Sequence, residues 1–300
     1  MSSPDRWLGR ARSGISGLPL KRFRALATSP GMKPLDLTSR WILVTGASSG
    51  LGRELARVLA RDYGANLLVV ARRRDRLDEL ANELETKHGV SVRAITADLG
   101  EIAQVDRVFA EATLDTPLYG AILNAGITHF GNWDELGWAE YERMYALNVT
   151  SVVRMTTQLL PYLEQRRESG ALMLVSSMAG LVPTPYQTAY SATKAFLVHY
   201  GCGLYHEMLP RGVSVTTFVP GGIRTEMTDG AAFNDLRSWL MPAERCAREA
   251  IRAFRDREYV YSPGFVYRWG SAMTRFLPQR FFIGRVADQY RRSLARNRSS

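Results

Sequence analysis

From Trp41 onward, apolar residues follow two alternating rhythms. Ile42–Thr45 is a short apolar run, and Leu51, Leu55, Val58 and Leu59 then recur at the spacing of one helix face. Asn66–Ala71 is a second run, followed by Leu77, Leu80 and Leu84 at helical spacing. Val90–Thr96, Leu118–Leu123, Ala171–Ser176 and Val213–Val219 continue the series, and Glu258–Ser262 is the last predicted strand. Strands that are apolar throughout are those covered by helices on both faces. Their alternation with helical segments predicts an α/β fold, a doubly wound parallel sheet. Nothing between 41 and 262 reads as a repeat or a linker, so this span is taken as one domain with extensions at 1–40 and 263–300.

Composition narrows the class. The chain has 300 residues, 46% hydrophobic and 23% charged, with two cysteines. These values exclude a disordered chain, a disulfide scaffold and a cysteine-ligated zinc cluster, and a reduced cytoplasm is the simplest setting. The net charge of +10 is carried by the ends. Residues 1–40 hold eight basic and two acidic side chains, and residues 264–300 hold eight arginines and one acid, Asp288. The body between them is weakly acidic, which argues against a nucleic-acid groove. Basic ends suit a solvated tail, an anionic membrane surface or an acidic partner. The uncharged run Gly170–Thr193 is too rich in Ser, Thr and Pro for a bilayer span. The Arg-rich, acid-poor N-terminal arm lacks a secretory core and also fits an organelle transit peptide.

Candidate chemistry begins at the first strand–helix junction, Thr45-Gly46-Ala47-Ser48-Ser49-Gly50-Leu51-Gly52. Glycines there let the backbone turn tightly and approach a pyrophosphate, which a helix N-terminus favours electrostatically. The spacing G-x3-G-x-G departs from the commoner G-x-G-x-x-G. The second strand ends in Ala71-Arg72-Arg73-Arg74, with no acid between Gly64 and Arg74. An acid here would read the ribose 2′-hydroxyl of NAD, whereas arginine neutralises the 2′-phosphate of NADP. Arg72 is therefore the first and Arg73 the second candidate phosphate ligand, against the plainer reading of a solvated charge run. Tyr190 and Lys194 stand four residues apart, on one helix face. A phenol titrates near pH 10, too high for efficient proton transfer at neutrality, and a neighbouring cation lowers it. Ser176 and Ser177 close a strand upstream, where a hydroxyl can meet a developing oxyanion.

In this order the motifs resemble those of the short-chain dehydrogenase/reductase family, in its T-G-x3-G-x-G and Y-x3-K form. The resemblance covers about 41–262 and includes Asp98-Leu99, Asn124-Ala125-Gly126, Asn148, Ser177 and Pro220-Gly221 with Ile223 and Thr225. It implies a Rossmann fold and a bound NADP(H). Tyr190 would be the general acid or base. Lys194 would bind the nicotinamide ribose and lower the phenol's pKa. Ser177 would orient the carbonyl, and Asn148 would hold a water that extends a proton relay. Asp98 would contact adenine, Asn124–Gly126 would line the adenosine side and brace the sheet, and Pro220–Thr225 would wrap the nicotinamide. Two positions depart from the pattern: Leu123 stands where many members have asparagine, and Ser49 where many NADP enzymes have a basic residue. Each position also has an ordinary alternative, such as Asp98 or Thr225 as a helix cap and Asn148 as a buried bridging amide.

The implied activity is hydride transfer between nicotinamide and a lipophilic ketone or secondary alcohol, of ketoacyl, steroid or similar type. The alternatives are a non-catalytic NADP(H)-binding redox sensor, which would have no use for Ser177, Tyr190 and Lys194 together, and a sugar-nucleotide epimerase, against which the glycine spacing argues. The apolar residues Met227, Phe233, Leu236, Trp239 and Leu240 would close over substrate, or pack as ordinary helix residues. In the C-terminal extension Trp269, Met273, Phe276 and Leu277 fall on one helical face, and Val286, Tyr290 and Leu294 repeat among arginines. Such a basic amphipathic helix lies in a membrane interface, docks on its own domain or seals a dimer. Long helices after Trp138 and Thr188 make a homo-oligomer the expected assembly. No metal site is expected, since the four histidines show no ligand spacing.

Overall fold

A computed structural model describes residues 32–228, 240–264 and 279–298. Seven parallel strands form the central sheet: β1 (Trp41–Thr45), β2 (Asn66–Ala71), β3 (Val92–Thr96), β4 (Leu118–Leu123), β5 (Ala171–Val175), β6 (Ser214–Phe218) and, at the edge, β9 (Val260–Tyr261), with spatial order β3-β2-β1-β4-β5-β6-β9. Two short strands, β7 (Ile223–Arg224) and β8 (Met241–Pro242), pair separately. The helices are α1 (Gly50–Tyr63), α2 (Arg74–His88), α3 (Ile102–Leu114), α4 (Trp138–Tyr145), α5 (Ser151–Gln165), α6 (Thr188–Met208), α7 (Ala243–Arg255) and α8 (Gln279–Arg298).

Period-two alternation sends successive strand residues to opposite faces. Ile42 and Val44 join Leu55 and Leu59 of α1, Leu80 of α2 and Phe254 of α7 in one core layer. Leu43 joins Val108 of α3, Leu159 of α5 and Leu197 of α6 in the other. Each fully buried leucine contributes about 1.5–3 kcal/mol. The predicted doubly wound sheet is therefore present, and the strand order reverses between β1 and β4, where such sheets open a crevice at the carboxyl ends of their strands.

Several strands are shorter than their apolar runs. Val90–Thr96 begins its ladder only at Val92, because the Ser91 N–H donates to the Asn66 side chain at 2.8 Å. Glu258–Ser262 contracts to Val260–Tyr261, because Arg257 sits in the left-handed region and the Glu258 N–H turns back to Ala253. Residues 32–40, which charge alone groups with the arm, pack on the body. Leu35 and Leu37 are buried, and the Leu35 N–H donates to Arg255 O.

Candidate active site

The crevice at the switch point has a volume of about 880 Å³. Its floor is the β1–α1 turn. Gly46 and Gly50 have φ of +70° and +54°, the left-handed region that favours glycine. Gly52 serves close packing instead: a Cβ there would lie 2.2 Å from the Gly46 carbonyl oxygen. Thr45 locks the turn to β4, its buried hydroxyl accepting from the N–H groups of Asn124 and Ala125 at 2.9 and 3.0 Å. The Asn124 amide donates back to Thr45 O at 3.0 Å, so this residue braces the sheet. The N-cap residue Ser49 makes no capping bond to α1. First-turn N–H groups of a helix need partners, and a phosphate supplies them. Glycine-lined walls, an uncapped helix start and arginines above fit a dinucleotide pyrophosphate, with Gly46, Ser48, Ser49, Gly50, Leu51 and Gly52 all lining the crevice.

The two candidate phosphate ligands differ in placement. Arg73 lies across the glycine turn, donating to Ser48 Oγ at 3.1 Å and Ser49 Oγ at 2.7 Å. Arg72 faces Asp98 at 3.7 Å. Glu226 also reaches Arg73, at 3.2 Å, and Arg76 at 2.5 Å, and these arginines, Arg76 foremost, hold its carboxyl below the usual glutamate range. No local pattern points to this contact, since 153 positions separate Glu226 from Arg73. Asp98 lines the crevice beside Leu99 and accepts from the Gly100 N–H at 3.0 Å, a local turn rather than a helix cap, since α3 begins at Ile102 behind Glu101.

At the other end, α6 presents Tyr190 and Lys194 to the same crevice as Ser177. The Lys194 ammonium sits 5.7 Å from the Tyr190 ring centre and donates to Val175 O at 3.0 Å. Ser176 is structural: its hydroxyl donates to Lys194 O at 2.7 Å, pinning α6 to the end of β5. Ser177 caps the short turn Met178–Gly180 by accepting from the Ala179 N–H. Contrary to the lowering expected from Lys194, burial pushes the Tyr190 phenol above its ordinary value, and it is the Ser177 hydrogen bond that opposes this. Burial also brings Lys194 down to about 8. Lys194 is thus poised near neutrality by desolvation.

Asn148 stands behind the crevice. The long helix expected around it is broken by a π turn at Ala146–Thr150, a distortion frequent at functional sites. Fully buried, Asn148 accepts from the Ile127 N–H at 2.9 Å and donates to Ile127 O at 2.9 Å and Thr193 Oγ1 at 3.1 Å. Both amide protons are engaged within the protein, so its side chain joins the β4 loop to α6. Ala125 and Gly126 line the wall in front of it, and Pro220, Gly221, Ile223 and Thr225 form the opposite wall. Thr225 O accepts from the Thr228 N–H and hydroxyl, so Thr225 opens the single 3-10 turn Glu226–Thr228 through its carbonyl. Met227 and Leu240 line the crevice; Phe233, Leu236 and Trp239, like Trp269, Met273, Phe276 and Leu277, lie outside the described residues. Val286 and Tyr290 of α8 also line it, so part of the C-terminal extension docks on the domain.

Comparisons with known proteins agree with this fold. The family model for short chain dehydrogenases matches residues 40–234. A very-long-chain 3-oxoacyl-CoA reductase of Anas platyrhynchos is 32% identical over 63% of this chain and 61% of its own length. A hydroxysteroid 11-beta-dehydrogenase 1-like protein of Gallus gallus is 34% identical over 74% of this chain and 76% of its own. The chain thus spans about three fifths of the first relative's length. A short-chain dehydrogenase from Sphingobium yanoikuyae, solved in complex with NADPH, superposes with a TM-score of 0.71 and is 33% identical, covering 78% of this chain and 91% of its own. Matched over more than half its length by the family model, the chain belongs to the short-chain dehydrogenase/reductase family.

Proposed function

We propose that this protein is an NADP(H)-dependent oxidoreductase acting on a lipophilic ketone or the corresponding secondary alcohol. The observation that carries this reading is the convergence of Ser177, Tyr190 and Lys194 on the crevice that begins at the glycine turn. When bound, the dinucleotide supplies or accepts the hydride. Tyr190 gives its phenolic proton to the carbonyl oxygen in reduction and takes it back in oxidation. Ser177 donates a hydrogen bond to the same oxygen, which is worth most as negative charge develops there. Lys194 has three N–H donors, of which Val175 O takes one, leaving others for ribose hydroxyls. As a cation it stabilises the phenolate left after proton transfer.

Arg72 and Arg73 favour NADP(H), and Ser48 and Ser49 add hydroxyls beside Arg73. Arg72→Ala and Arg73→Ala should each weaken NADPH by about 10- to 100-fold, the range for one charge-assisted contact, with much smaller loss for NADH. Equal losses would remove the phosphate role. Apolar substrate walls and the two relatives' names, which place an oxygen function on an apolar skeleton, support the substrate class. A panel of β-ketoacyl thioesters, ketosteroids and simple alkyl ketones, followed by NADPH consumption, tests it. Turnover of apolar ketones is expected; NADPH binding without turnover of any would favour the non-catalytic reading.

Two further expectations concern assembly. Exposed Trp138 and Tyr145 on α4 and Phe196 on α6 support a homo-oligomer built on that face, which sedimentation would detect. No helix among the described residues is long and apolar enough to cross a membrane. Peripheral contact with an anionic bilayer rests on the arginines of residues 264–300, and flotation with anionic liposomes, with and without that segment, tests it. Equal binding by both forms would contradict it.

A further inference from the structure

We propose that the C-terminal helix α8 is the specificity wall of the substrate chamber, with Val286 and Tyr290 setting the size of apolar ketone admitted. This rests on the oxidoreductase reading and adds an element outside the segment that the family model matches. Val286, Tyr290 and Ser293 recur at one helix face; the first two line the crevice and the third is buried. The other face is polar, with Arg280, Asp288 and Arg292 exposed. The helix is therefore amphipathic toward its own domain.

It is held by both loops that flank the reacting end. The Tyr290 ring packs edge-on against Phe130, with centres 5.0 Å apart. Arg291 donates to the Tyr186 hydroxyl at 3.2 Å and is itself aimed by Asp288 at 2.9 Å. Phe130 lies on the loop after β4 and Tyr186 on the loop before α6, and the two loops are joined by the Gly131 N–H on Tyr186 O at 3.0 Å. Tyr186 has φ of +64°, a conformation that costs about 1–3 kcal/mol and is kept where surrounding structure dictates it. These loops also contribute Ile127, Val182 and Pro183 to the crevice. The result is a chamber bounded on one side by valine and tyrosine, with Gln187 and Thr128 hydrogen-bonded at its polar edge. Such a wall passes a slim apolar ketone and discriminates against bulk by direct contact.

The test uses the full-length protein with NADPH, two ligands, 2-butanone and a tetracyclic ketone, and two readouts, calorimetric binding and turnover. Val286→Trp should lower the preference for the tetracyclic ketone over 2-butanone by about tenfold or more, and Tyr290→Ala should raise it, magnitudes typical of a pocket gaining or losing a few methylene groups. NADPH titration shows which variants are folded, and should one fail, the other carries the test with the opposite sign. An unchanged ratio in both binding and turnover would overturn the proposal. Binding that shifts as expected in a protein without turnover would leave the wall standing and sink the activity instead.

Discussion

Lys194 donates to Val175 O and lies 5.7 Å from the Tyr190 ring, in surroundings that depress its pKa from 10.5 to about 8. The folded-state value lies below the unfolded one, so the unfolded chain binds more protons between them, and folding stability rises with pH from about 8 to 10.5. On the roles proposed for Lys194 at the ribose and the phenolate, activity should have the opposite slope. The kcat/KM for NADPH, which reports the free protein, should fall as pH rises through about 8. A profile flat to pH 10 would contradict this role. Glu226 makes a second residue-scale prediction. Its carboxylate would compete with the 2′-phosphate of the proposed cofactor for Arg73 and repel it, so Glu226→Gln should tighten NADPH several-fold and leave NADH nearly unchanged in fluorescence titrations. Equal change for both would rule out the competition.

At the scale of elements, the glycine turn joins fold to chemistry. Gly52→Ala would set a Cβ 2.2 Å from Gly46 O and 2.7 Å from the Asn124 amide. The turn and β4 must then part, which should cost about 1–3 kcal/mol in melts and weaken NADPH together with stability. Elements of this kind were legible from the sequence because β1, β2, β4 and β5 are apolar on both faces and α1 on one. Arg72 and Tyr190 with Lys194 were legible because spacing places them at a strand end or on one helix face. What sequence could not supply were partners across the crevice. Nothing local to Asn148 reveals a π turn whose amide is consumed by Ile127 and Thr193. Likewise α8 reads as a basic amphipathic segment from its own residues, and only the loops bearing Phe130 and Tyr186 show which surface its apolar face meets.

In the whole molecule, Arg257 joins parts that are distant in sequence. Its guanidinium donates to Lys33 O, Ser169 O and the Ser214 hydroxyl at 2.8, 2.5 and 2.8 Å, tying the N-terminal segment to the base of the sheet. Arg257→Ala should leave those carbonyls without that donor and lower stability by about 2–4 kcal/mol in denaturant titrations, with NADPH affinity little changed, since the crevice lies at the opposite end of the strands. A loss of NADPH affinity at unchanged stability would contradict this division between base and crevice. That division also makes the proposed proton transfer by Tyr190 testable in one comparison, because Tyr190 can lose its hydroxyl without disturbing the sheet. NADPH-linked ketone reduction should be measured in Tyr190→Phe beside its dinucleotide affinity. Turnover should fall by about 10²–10⁴-fold with NADPH still bound near wild-type strength. Reduction at the wild-type rate by the phenylalanine variant would contradict it.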